Sequence, residues 1–217
     1  MYIRIINILL KKFIKMNICI VDADGGNKMS VYNLLKYLKL DVKISRSRDD
    51  LEDATHLILP GVGSYNNLMN NLQKYNLVDL LSKEVLIKKK PFLGICVGMQ
   101  VLSTFGYEFN KTSGLNWIEG IVRKINTNDL RLPHIGWNNL SFLKDHFIAK
   151  QIDQDLNFYF LHSFIFETKN INSVIATTKY GESFPSIVNL DNIWGFQFHP
   201  EKSQFAGQLI LRNFLNQ

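Results

Sequence analysis

Three residues in this chain carry side chains that together can do nucleophilic acyl chemistry: Cys96, His199 and Glu201. Cys96 stands in Pro91-Phe92-Leu93-Gly94-Ile95-Cys96-Val97-Gly98-Met99-Gln100, a short apolar run whose cysteine is bracketed by two glycines. Such a run reads as a buried strand turning sharply into a helix, with the thiol at the corner and near the positive end of that helix. Both features favour a reactive thiolate. Taken alone, the stretch fits equally well a small apolar cysteine in a core strand. About a hundred residues later, Ile193-Trp194-Gly195-Phe196-Gln197-Phe198 delivers His199-Pro200-Glu201-Lys202-Ser203. A carboxylate two positions from an imidazole at a strand end can bind one ring nitrogen and leave the other for a nucleophile. Thiol, imidazole and carboxylate then form a triad.

The elements that must position these groups can be read in chain order. Asn17–Val21 is a buried strand, followed by the turn Asp22-Ala23-Asp24-Gly25-Gly26-Asn27 and a helical pattern through Val31, Leu34, Leu35 and Leu38. GxGxxG is absent, so the glycine pair is read as a tight turn. A short strand at Val42–Ser45, an acidic connector at Asp49–Asp53 and a strong strand at His56–Leu59 come next. That strand ends in Pro60-Gly61-Val62-Gly63-Ser64 before a helix over Tyr65–Leu72, and its backbone amides suit an oxyanion hole, although an ordinary strand-to-helix turn reads the same way. Three βα units up to Gln100 predict a parallel sheet with reactive loops at its carboxyl edge.

Beyond Gln100 the chain becomes β-rich, with strand-like runs at Gly114–Ile118, Ile121–Ile125, Asn157–His162, Val174–Thr178 and Ile193–Phe198, and one closing helix, Ala206–Leu215. The predicted fold class is α/β. It has three layers, a central, mostly parallel sheet with helices on both faces and extra antiparallel strands in the second half.

With its cysteine elbow and the later His-Pro-Glu, the chain from Met16 to its end resembles the class I glutamine amidotransferase (triad glutaminase) family. The resemblance implies Cys96 as nucleophile, His199 as general base and acid, and Glu201 as orienter of the imidazole. It places Gly61, Val62, Gly63 and Val97 at the oxyanion site. Pro133-His134-Ile135-Gly136-Trp137-Asn138 and Tyr159-Phe160-Leu161-His162-Ser163 bring the resemblance closest to the glutaminase subunits of imidazole glycerol phosphate synthases. By that likeness Gln100, Glu108, His162 and Ser163 would hold glutamine, and Tyr159, Lys202 and Trp137 would sit where ammonia leaves towards a (βα)8-barrel cyclase subunit in a heterodimer. The first turn departs from the family's usual Asp-Tyr-Gly-x-Gly-Asn, with Ala23 and Asp24 in place of the tyrosine and first glycine, and Phe164 stands where tyrosine is common. A paralogous glutaminase feeding a sugar amidotransferase would keep this same site, and a docking subunit without activity would keep the fold.

Size and composition fit this reading. A chain of 217 residues with 46% hydrophobic content can bury one core of ordinary size, leaving no room for an ammonia-accepting synthase domain. Its two cysteines, Cys19 and Cys96, make no disulfide framework and no zinc spacing, which points to a reducing cytoplasm and to no metal or other cofactor. The formal charge is +6, but Arg4, Lys11, Lys12 and Lys15 lie in residues 1–15, where there is no acid, and Lys88-Lys89-Lys90 reads as a solvated helix end. No basic and aromatic interleaving suggests nucleic acid. Residues 1–15, an extension of uncertain status ahead of an amidotransferase domain at 16–217, have too short an apolar core to span a membrane.

Overall fold

Ile18, Cys19, Ile20 and Val21 are all fully buried, the pattern of a strand covered on both faces. In a computed structural model they belong to strand β1 (Asn17–Val21). The structure describes residues 16–127, 129–153 and 155–217; the expected extension at 1–15 lies outside the described residues.

The first half alternates strand and helix. After β1 come α1 (Lys28–Tyr37), β2 (Asp41–Ser45), α2 (Arg48–Asp53), β3 (His56–Gly61), α3 (Tyr65–Lys74), α4 (Leu77–Ser82), β4 (Phe92–Cys96) and the single turn α5 (Val97–Gln100). The acidic segment expected as a connector is helix α2, because the Ser47 hydroxyl accepts from the Asp50 amide and Asp49 and Asp50 occupy its first turn. The second half is a succession of strands: β5 (Phe105–Gly106), β6 (Thr112–Ser113), β7 (Gly120–Lys124), β8 (His134–Asn139), β9 (Ser141–Phe142), β10 (Asn157–His162), β11 (Phe164–Thr168), β12 (Val174–Tyr180), β13 (Glu182–Leu190) and β14 (Ile193–Phe196). Helix α6 (Gln204–Leu215) closes the chain.

Eight strands form the main sheet in the order β2-β1-β3-β4-β14-β13-β12-β9. The strands from β2 to β14 run parallel, and β13, β12 and β9 are antiparallel additions. The step from β1 to β2 goes one way and the step from β2 to β3 goes back past β1. Right-handed crossovers therefore put α1 and α2 on opposite faces. The reversal makes a crevice at the carboxyl ends of β1 and β3, where such sheets place ligands. Two smaller sheets, β8 with β10 and β11-β7-β5-β6, stand beside it.

The segment Gly114–Ile118 differs from expectation. It is a loop, not a strand, with only Trp117 and Ile118 buried, and its Leu115, Asn116, Trp117 and Ile118 amides donate to the carbonyls of Val101, Ser103 and Leu102. Trp117 packs edge to face on Phe92 of β4 at 5.0 Å, and this buried apolar content mimics a strand in composition. Nor is Lys88-Lys89-Lys90 merely a solvated helix end. Lys88 and Lys90 pair with the fully buried Glu84 at 2.8 and 2.7 Å, and Lys90 also donates to the Leu51 and Glu52 carbonyls of α2. Among the described residues no helix is long and apolar enough to cross a membrane.

Candidate active site

The site begins with β4, whose five residues are all buried between β3 and β14. Its last residue, Cys96, has φ 55° and ψ −111°, a conformation that side-chain-bearing residues rarely adopt. Close packing maintains it. Gly61 of β3 lies opposite Cys96 in register, and a Cβ on Gly98 would come within 1.9 Å of the Leu59 carbonyl oxygen, so the chain can fold back here only with glycine. The helix expected to lend its positive end to the thiol is only the single turn α5, and the elbow geometry, not a long helix, presents the sulfur.

The second half of the site arrives from β14. The His199 amide donates to the Tyr159 carbonyl of β10 at 2.8 Å, which fixes the backbone after the strand ends. His199 Nδ1 donates to Glu201 Oε1 at 2.9 Å, and both side chains are buried. Burial alone would push this imidazole down. Hydrogen bonding to Cys96 and its negative charge, together with those of Glu201, outweigh burial and hold His199 up to about 10. The imidazolium is therefore the resting form at neutral pH. Asn27, at the start of α1, donates a further bond at 3.4 Å to Glu201 Oε1, and its own Oδ1 accepts from Ser30.

Cys96 and His199 open on a pocket of about 250 Å³. Val62, Gly63 and Val97 line it, as do Gln100, Glu108, His162 and Ser163, so seven of the expected binding and oxyanion residues meet the two reactive side chains. Gly61 is not among the lining residues; it lies beneath, packed against Val97 and Gly98. Glu108 has a structural task too, since its Oε2 accepts from the Tyr65 amide at 2.7 Å and so caps α3. Trp137, Tyr159 and Lys202 lie outside this pocket and form their own cluster. The Trp137 and Tyr159 rings meet edge to face at 5.8 Å, and Lys202 Nζ sits 5.4 Å from the Tyr159 ring centre.

Two residues near the chemistry were not singled out from sequence. Asn27 sits in a turn that reads only as a glycine-rich bend. Gln197 is fully buried, donates to Cys96 Sγ at 3.8 Å and accepts from Gln100 at 3.1 Å. A polar residue inside an apolar run was its available signal, since buried amides require partners. A buried histidine pair runs back from the pocket wall: His162, which lines the pocket, donates from Nδ1 to the Phe164 carbonyl at 2.9 Å, and its Nε2 is 3.1 Å from His134 Nδ1. Desolvation pushes His162 down to about 3 and His134 to about 4, so both are neutral near pH 7.

Comparison with known proteins identifies the family. Residues 19–217 match the family model "Glutamine amidotransferase class-I". The imidazole glycerol phosphate synthase subunit HisH of Leptospira interrogans is 42% identical over 199 residues, spanning 90% of this chain and 97% of that protein. The subunit designated HisH 2 of Pseudomonas aeruginosa is 41% identical, spanning 91% and 98%. Among solved structures, PurLQS from Thermotoga maritima superposes with a TM-score of 0.74 at 18% identity, covering 94% of this chain and 99% of that one. A crystal structure of a glutamine amidotransferase gives 0.72 at 21%, covering 91% and 97%. The chain belongs to the class I glutamine amidotransferase family and, within it, groups with the HisH subunits of imidazole glycerol phosphate synthase.

Proposed function

We propose that this chain hydrolyses glutamine to glutamate and ammonia and passes the ammonia to a cyclase subunit, as the glutaminase half of an imidazole glycerol phosphate synthase. The observation that carries the reading is the buried Cys96, His199 and Glu201 arrangement at the mouth of a pocket sized for an amino acid, in a chain about 40% identical to HisH subunits over nine-tenths of its length. The Cys96 thiolate attacks the side-chain carbonyl carbon of glutamine. The oxyanion that forms is met by backbone amides of the loop after β3 and of Val97. His199, held as imidazolium, gives its proton to the departing nitrogen, and ammonia leaves. Water then attacks the thioester while neutral His199 takes its proton, releasing glutamate and regenerating the pair. Glu201, braced by Asn27, keeps the imidazole in register through both steps.

Gln100, Glu108, His162 and Ser163 bind glutamine's polar groups in this reading. The partner docks on the neighbouring surface, where Ile135, Trp137 and Phe205 expose about half or more of their area and where Tyr159 and Lys202 lie. Apolar side chains so exposed are the composition of an interface core. The sugar-modifying paralogue would use the same triad, but the similarity to several HisH subunits along nearly the whole chain favours the cyclase as partner.

The test is glutamate release by the wild type and Cys96→Ala, alone and with the organism's barrel cyclase and its nucleotide ligand. Release that rises with the cyclase and vanishes in the variant is the expected result. Release that depends on Cys96 but ignores the cyclase would move the assignment to a different acceptor, and no release with any partner would leave a docking subunit.

A further inference from the structure

Gln197 is a buried polar side chain in the otherwise apolar run 194–198, and both its amide oxygen and its amino group have partners. A fixed reference sets the direction of every bond around it. The Phe164 backbone carbonyl can only accept, and it takes one bond from His162 Nδ1 and one from Gln100 Nε2, each at 2.9 Å. Gln100 must therefore present its amino group, whose second hydrogen goes to Gln197 Oε1 at 3.1 Å. With its oxygen so committed, Gln197 can present only its amino group to Cys96 Sγ, at 3.8 Å. The opposite orientation would set two amino groups against each other and an oxygen against the sulfur. The arrangement is anchored from behind, because His162 Nε2 accepts from His134 Nδ1 and His134 Nε2 accepts from Asn138.

We infer that Gln197 is a dedicated donor to the nucleophile, its amide oriented through Gln100 and the Phe164 carbonyl so that an N–H favours the thiolate form of Cys96. This rests on Cys96 being the nucleophile. An N–H directed at sulfur favours the anion, whereas the Leu161 carbonyl, 3.7 Å from the sulfur, favours the neutral thiol. Besides Gln197, the groups facing the sulfur are His199 from the turn after β14, with His162 and Glu108 lining the same pocket. Gln197 is the donor whose removal leaves the whole triad in place.

The experiment is alkylation of the full-length chain by iodoacetamide between pH 5 and 9, read at Cys96 by mass spectrometry, with melting temperature as the folding control. Cys19 does not compete, since burial pushes its thiol up to about 11. For Gln197→Met, the rate at pH 7 should fall about ten- to a hundredfold, in keeping with one lost bond to a charged group, and the profile should move to higher pH. Gln197→Glu should fall further, because its carboxylate repels the thiolate. An unchanged profile in a Gln197→Met protein that melts like wild type would overturn the inference. If that variant does not fold, Gln100→Leu removes the group that orients Gln197, and an unchanged profile there overturns it equally. Wild-type Cys96 reacting no faster at pH 7 than an ordinary free thiol would instead sink its assignment as nucleophile.

Discussion

Gly98 lies so close to Leu59 that a Cβ on the glycine would come within 1.9 Å of the leucine's carbonyl oxygen. This is where β3 and the elbow after β4 press together, and backbone cannot move aside as a flexible side chain can. Gly98→Ala should therefore separate the two strands' carboxyl ends, at a cost above about 3 kcal/mol, the upper end of ordinary overpacking. A urea midpoint unchanged from wild type would contradict this account of the elbow. If the variant folds, the Cys96 backbone should relax out of its unusual conformation and glutamate release should be lost.

The other half of the site depends on a second close approach. A Cβ on Gly207 would stand 1.9 Å from the Pro200 carbonyl oxygen, so the first turns of α6 lie directly on the His-Pro-Glu turn. Gly207→Ala should push Pro200 and Glu201 outward and lengthen the 2.9 Å bond to His199. The expected result is a kcat loss of about tenfold or more with a smaller change in KM, since the pocket residues that bind substrate are on other segments. A variant with wild-type kcat would show that α6 can shift without moving the triad.

These two contacts mark the limit of what the sequence discloses. Strands β1, β3 and β4 are legible because central parallel strands are continuous apolar runs, and the elbow is legible because glycines bracket a cysteine. Strand β13 is not, since Pro185 sits at its centre opposite Thr177, beside a register shift that absorbs the missing amide. Strand β8 hides because His134 is its buried residue at one end, while Ile135 and Trp137 face outward. The three residues proposed as the triad are visible as residue types at strand ends. Asn27 and Gln197 are not, because their roles depend on contacts with residues 174 and 101 positions away.

Glu201→Gln keeps the shape of the triad and removes its charge. Without that charge His199 is held less strongly as imidazolium, so its pKa falls from about 10 towards its ordinary value. Glutamate release should drop about a hundredfold or more, and the alkaline side of its pH profile should move to lower pH. Stability gives an independent reading. A raised histidine contributes stability that is complete below about pH 6.5 and is lost as pH climbs through about 10, so wild type should weaken across that window more than the variant. Parallel curves of urea midpoint against pH would show that Glu201 does not hold the proton on His199.

His134 and His162 carry the opposite sign. Desolvation lowers them to about 4 and about 3, so between pH 6.5 and about 4 the unfolded chain binds protons that the folded chain refuses. Stability contributed by these groups is present above pH 6.5 and is lost as pH falls, at up to about 1.4 kcal/mol per pH unit for each histidine. His134→Phe isolates one of them. Its ring can keep the stacking on Phe160 and Tyr180, whose centroids lie 4.9 and 4.1 Å away, while the titrating nitrogens and the bond to His162 are gone. At pH 7 the variant should be less stable by about 1 kcal/mol for the lost bond. Between pH 6 and 4 it should lose stability more slowly than wild type, and the two curves should converge on acidification. Carboxylates that titrate in the same range are common to both proteins and cancel in the difference. A constant gap between the two curves across that range would mean that His134 accepts a proton in the folded state and that the histidine pair is not neutral.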